Sequence, residues 1–119
     1  MAENYSSVDS PFAAGEPDAV LRLDGPLTAT TAHALRDAIQ ANRSPVVIID
    51  MTDVPYVDSS GIGALVNAQV SSARNQQRLI LTGLNERVRS VLRITHIDQV
   101  FAIATDIQEA QAMGHASDA

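Results

Sequence analysis

The segment Asp50-Met51-Thr52-Asp53-Val54-Pro55-Tyr56-Val57-Asp58-Ser59-Ser60-Gly61-Ile62-Gly63 gathers three carboxylates, two adjacent serine hydroxyls and two glycines in one short stretch. A serine in such a setting can accept a phosphoryl group, or act as a nucleophile if a base lies within hydrogen-bond reach. The second use finds no support nearby. Asp58 adjoins Ser59, but a lone surface aspartate is a poor base at neutral pH. His33, His96 and His115 are scattered, no Gly-x-Ser-x-Gly elbow occurs, and no His-x-x-x-His spacing offers a metal site. The chain contains no Cys, and all eight of its basic residues are Arg. Thiolate chemistry, a Walker-type phosphate loop and a Schiff-base lysine are therefore excluded. Nothing in the composition calls for a cofactor.

The elements that must position this segment can be read from changes in hydrophobic period. Ala19 to Leu23 reads as a strand closed by the turn Asp24-Gly25-Pro26. Thr28 or Thr30 then caps a helix with Leu35, Ala38, Ile39 and Asn42 along one side. Val46-Val47-Ile48-Ile49 is an unbroken β-branched run, as expected of a strand buried on both faces. Asp50 to Asp58 reads as a loop. From Ser59 onward Ile62, Leu65, Val66, Gln69, Val70 and Ala73 recur at helical spacing. Leu79-Ile80-Leu81 marks another strand, ended by Gly83. Asn85 caps a helix carrying Val88, Val91, Leu92 and Thr95, and Val100 to Ala104 reads as a last strand. Asp106-Ile107-Gln108-Glu109 is a capping box opening a final helix toward Met113.

Strands alternating with helices imply an α/β domain, with a mostly parallel central sheet of about four to five strands covered by about four helices. Functional groups on such folds gather in the loops beyond the carboxyl ends of the strands. That places the serine segment where chemistry is expected, running straight into a helix N-terminus. The unpaired N–H groups and dipole of a first turn favour negative charge, so a phosphoryl group on a first-turn serine would be tolerated there. Asp and Ser are also favoured capping residues, so a cap alone accounts for Asp58-Ser59-Ser60 without any function.

The chain has 119 residues, 45% of them hydrophobic and 18% charged, with a net charge of −6. One domain over residues 16–113 is expected, between a leader at 1–15 with room for a short edge strand and a polar tail at 114–119. The acidic balance argues against direct nucleic-acid binding, which needs cations to neutralise phosphates. No apolar run reaches membrane-spanning length and no signal pattern opens the chain, so a cytoplasmic location is expected.

From Pro45 to about Ala73, an apolar strand, an Asp, a short loop, Asp58-Ser59-Ser60-Gly61-Ile62-Gly63 and an amphipathic helix resemble the STAS domain. The likeness is specifically to the bacterial anti-sigma factor antagonists, and it extends more weakly from Ala19 to Met113. The four-letter motif is weak alone and strong at this strand-to-helix junction. The resemblance implies a STAS-type fold and a switch protein, not an enzyme. Ser59 would be phosphorylated by an anti-sigma factor that is itself an ATP-dependent serine kinase, the unphosphorylated form would bind that kinase, and a phosphatase would reset the cycle. Asp53, Tyr56, Asp58, Ser60, Gly61, Ile62 and Gly63 would form the partner surface around Ser59, with Thr28 and Arg89 at its margin. One departure is visible: where the family often shows Gly-x-Leu-Asp, this chain has Gly25-Pro26-Leu27-Thr28, which supplies no carboxylate.

Rival readings are weaker. A phosphoaspartate receiver built on Asp50 would need an acidic pair after the first strand and a lysine; only Asp24 follows that strand, and no lysine exists. Arg87, Arg89 and Arg93 cluster on the third helix, with Arg89 and Arg93 on one face, which a solvated surface explains as well as a partner contact does. Within the same fold the alternative is a docking subunit of a stress-sensing assembly or membrane lipid transporter, in which the serine is idle.

Overall fold

The computed structural model describes residues 7–9 and 18–116. Its elements are β1 (Ser7–Asp9), β2 (Asp18–Asp24), α1 (Ala29–Ala41), β3 (Val46–Asp53), α2 (Ser59–Arg74), β4 (Arg78–Thr82), α3 (Glu86–Ile94), β5 (Ala102–Ala104) and α4 (Ile107–Ala116). Apart from β1, the leader expected at 1–15 lies outside the described residues, as do positions 117–119 of the tail.

The five strands lie in chain order, β1-β2-β3-β4-β5. β1 is antiparallel to β2, and every later pair is parallel. Right-handed crossovers that always step the same way across a sheet must deliver their helices to one face. Accordingly α1, α2 and α3 share a face, where Leu35, Ile39, Leu65, Val88 and Leu92 pack on Leu21, Leu23, Val47, Ile49, Met51, Leu79 and Leu81. Among the described residues α4 alone covers the other face, where Ala110 meets Val20, Val46, Ile48 and Ile80. The β-branched run of β3 is buried throughout because it contributes to both cores.

Several sequence expectations need correction. The stretch Asp50 to Asp53 is not loop but the second half of β3. Its polar composition is overridden by pairing, since Arg22 lies opposite Asp50, Asp24 lies opposite Asp53 across a bulge, and Gly25 N–H donates to the Asp53 carbonyl at 3.0 Å. The core stripe of α2 is Gly61, Leu65, Ala68 and Ser72, while Val70 is 49% exposed. Small residues fill much of that stripe, and a hydrophobicity pattern cannot see small residues as core. Finally, α4 runs past Met113 to Ala116. Gly114 is buried against the sheet, where a side-chain Cβ would stand 2.6 Å from a Val46 methyl. Arg78 donates to the Met113 carbonyl (3.3 Å) and His115 Nε2 lies 2.7 Å from Asp18 Oδ1, tying the helix end to β4 and β2.

Candidate functional site

The serine segment leaves β3 at Asp53, which is exposed, and turns inward at Val54, whose N–H donates to the Met51 carbonyl. Val57 then forms an isolated parallel bridge with Leu27. Leu27 N–H donates to the Tyr56 carbonyl (3.1 Å) and Asp58 N–H to the Leu27 carbonyl (3.2 Å), so the connection ahead of α1 is clamped to the connection ahead of α2. The clamp brings the two helix starts side by side.

Asp58 is the N-cap of α2, and its Oδ1 accepts from Gly61 N–H at 2.9 Å. The Asp58 carbonyl takes Ile62 N–H. The N–H groups of Ser59 and Ser60 have no acceptor among the described residues. Both serines are exposed, and the first turn of α2 carries no acidic residue. The first turn of α1, Ala29-Thr30-Thr31, carries none either, and its cap Thr28 is uncharged. There the Thr31 hydroxyl accepts from Thr28 N–H (2.9 Å) and donates to the Pro26 carbonyl (3.0 Å). Two helix N-termini therefore stand together, and apart from the Asp58 cap neither start carries a carboxylate, which leaves the Ser59 and Ser60 N–H groups open to an added negative charge.

The two glycines have different physical origins. A Cβ on Gly61 would collide with the Leu27 carbonyl oxygen, so the clamp itself requires glycine at that point. A Cβ on Gly63 would meet nothing within 4 Å. Of the other expected surface residues, Ile62 is half-buried against the core and Tyr56 is 39% exposed.

Beyond the Arg89 that the sequence offered, the third helix contributes two residues that sequence reasoning did not assign to the site. The Asn85 side-chain amide donates to the carbonyls of Val54 and Pro55 (3.2 and 3.3 Å) while its Oδ1 caps Val88 N–H, so the start of α3 braces the segment. Arg87, not Arg89, stands over the Tyr56 ring, 5.3 Å from its centroid. Arg89 is half-buried, and Arg93 pairs with Glu86 at 3.1 Å on the same helix. The arginine cluster was visible in the sequence, but helical spacing alone does not say which member faces the serine segment.

Asp50 has a structural task. It is buried on the α4 side of the sheet, its Oδ1 accepts from Thr52 N–H (3.0 Å) and hydroxyl (2.6 Å), and Arg22 Nε approaches Oδ2 at 3.4 Å. No group of three or more His, Cys, Asp or Glu among the described residues could hold a metal. None of the helices described is long and apolar enough to cross a membrane.

A family model described as the STAS domain matches residues 11–110. The chain belongs to the STAS domain family. It is 34% identical over 92 residues to a Listeria monocytogenes protein named anti-sigma-B factor antagonist, an alignment covering 77% of this chain and 75% of that one. Among solved structures, an anti-sigma factor antagonist from Mycobacterium paratuberculosis superposes with a TM-score of 0.79 at 19% identity, covering 95% of this chain and 97% of its own. A sulfate transporter family protein from Wolinella succinogenes superposes at 0.76 with 21% identity, over 87% and 88% of the two chains. These two show that the STAS fold is shared across differently named proteins. The parallel sheet, the four helices and the STAS architecture expected from the sequence are all present.

Proposed function

We propose that this STAS protein is an anti-sigma factor antagonist that works by partner switching. Unphosphorylated, it binds an anti-sigma factor with serine kinase activity and so frees a sigma factor in the cytoplasm. The kinase transfers the γ-phosphoryl group of ATP to Ser59 Oγ. The bond to ADP breaks, the Oγ–P bond forms, and the hydroxyl proton passes to a base of the kinase. A phosphatase returns the serine by hydrolysis. The chain itself contributes acceptor and docking surface, not catalysis.

The observation that carries this reading is the position of Ser59: exposed, at the first residue of α2, on a first turn without an acid and beside a second such helix start. The Listeria relative's name supports the choice of partner class. Asp53, Tyr56, Asp58, Ser60, Gly61, Ile62 and Gly63 are assigned to the docking surface or its support, with Arg87 added over Tyr56 and Thr28 and Arg89 at the edge. A phosphate brings about −1.5 to −2 of charge into that surface. Mismatched interfacial charge costs several kcal/mol, and about 1.4 kcal/mol is tenfold, so release by a hundredfold or more needs no refolding of the antagonist.

The test is intact-mass analysis after incubation with source-cell extract and ATP, beside Ser59→Ala. A gain of one phosphate, absent in the variant, is expected. No gain in the presence of an active cognate kinase would leave the Asp58 cap as the motif's whole role and make the protein a docking subunit.

A further inference from the structure

α1 and α2 enclose an open groove of about 570 Å³ whose upper end is Ser60, the neighbour of Ser59. On the α2 side its lining follows one helical stripe, from Ser60 through Gly63 and Asn67 to Arg74. This stripe lies beside the buried one and is exposed to solvent. The charge of the groove opposes that of the protein. The chain as a whole carries −6, yet Arg36, Arg74 and His33 line the groove and no Asp or Glu does. The floor is low because Ala32, Gly63 and Ala64 form it. Gly63 is the telling residue. Glycine inside a helix is unfavourable relative to alanine, and here no atom of the protein comes near enough to forbid a side chain. Val70, left 49% exposed, adds an apolar contact to the same trough.

We propose that this groove receives an acidic segment of the same partner that acts on Ser59, an inference that rests on the partner-switching reading. A segment laid along α2 from Ser60 toward Arg74 would place carboxylates against Arg36 and Arg74 and its backbone over Gly63. The partner would thus hold the antagonist by charge at one end and reach the serine at the other. The groove ends beside the phosphoacceptor, so a phosphate there repels the acidic segment as well as disturbing the first-turn contacts.

The experiment is a ¹⁵N-correlation titration of the intact protein with a glutamate-rich helical peptide, beside a lysine-rich peptide of the same length. Amide shifts at Ala32, Gly63, Asn67 and Ser71 are expected with the acidic peptide alone, weakening as salt is raised. The double variant Arg36→Glu, Arg74→Glu should lose at least about tenfold in affinity while keeping the folded spectrum. Gly63→Gln should weaken binding yet raise the melting temperature, a pairing that mere structural damage cannot produce. Phosphorylation of Ser59 is read apart from this titration, by intact mass, so failure of the groove and failure of the partner-switching reading are distinguishable. Shifts elsewhere on the surface, no shifts, or undiminished binding by the double variant would overturn the proposal.

Discussion

The starts of α2 and α4 look alike in the sequence and differ in what they leave undone. Each follows a parallel strand, and each is capped by an aspartate that accepts from the third N–H of the helix, Asp58 from Gly61 and Asp106 from Glu109. In α4 the first turn also carries Glu109, whose carboxylate folds back to accept from the N–H (2.7 Å) and hydroxyl (2.8 Å) of Thr105. That differs from the reciprocal box expected for the four-residue motif, since the glutamate reaches one residue beyond the cap. The hydrogen bonds to Thr105, backbone first and hydroxyl second, hold the Glu109 carboxyl below its ordinary value of 4.5. The positive end of α4 is thus answered from within. That of α2 is answered by the Asp58 cap alone, since two serines and a glycine follow it. The N–H groups of Ser59 and Ser60 are left over, and there an incoming phosphate finds its field.

The comparison can be broken most forcefully at the glycines. Gly61→Ala should destabilise the fold by about 3 kcal/mol in urea titration, because the added Cβ meets a backbone carbonyl that is itself hydrogen-bonded in the clamp. Gly63→Ala should instead stabilise it by up to about 1 kcal/mol. Equal behaviour of the two would refute the distinction drawn between them. Next in size are the caps. Asp58→Ala should cost about 1.5 kcal/mol, and Asp106→Ala about half of that, because Glu109 and Thr105 still order the start of α4. A reversed order would mean that α2 is answered by something other than its cap. Smaller again, Ser59→Glu should add about 0.5 kcal/mol of stability through the dipole while abolishing phosphorylation. A loss of stability would show that the Asp58 carboxylate already saturates the site. The smallest effect belongs to Glu109. Its lowered folded value means that its stabilisation is complete above pH 4.5 and disappears as pH falls through that lowered value. The melting-temperature gap between the parent and Glu109→Gln should therefore be widest near neutrality and close in acid.

Much of this arrangement is legible in the sequence. Four successive β-branched residues announced a doubly buried strand, and β3 is that strand. The junction of Asp58-Ser59-Ser60-Gly61 with a helical period located the start of α2 to the residue. What escaped was decided by contacts distant in sequence. Asp50-Met51-Thr52-Asp53 has the composition of a loop, and only the pairing with β2 makes it strand. Gly61, Ala68 and Ser72 carry no hydrophobic signal, so the rotation of α2 about its axis could not be read from apolar spacing. The choice of Arg87 over Arg89 depends on where Asn85 anchors α3 against the Val54 and Pro55 carbonyls, a contact spanning 31 positions for the first of them.

A sheet whose strands lie in chain order also prescribes a sequence of events during synthesis. Each parallel strand settles beside the one made just before it, so none has to be threaded between two that are already paired. One face is closed progressively by α1, α2 and α3 as they emerge. The opposite face, with Val20, Val46, Ile48 and Ile80, is packed by α4, the last element described, so a chain not yet extended that far would leave it wet. Such a chain would be a half-roofed sheet with an adhesive underside, and Gly114 against Val46 is what lets α4 shut it. A bulkier residue at that position would first be noticed as lost solubility during expression, long before any defect in signalling.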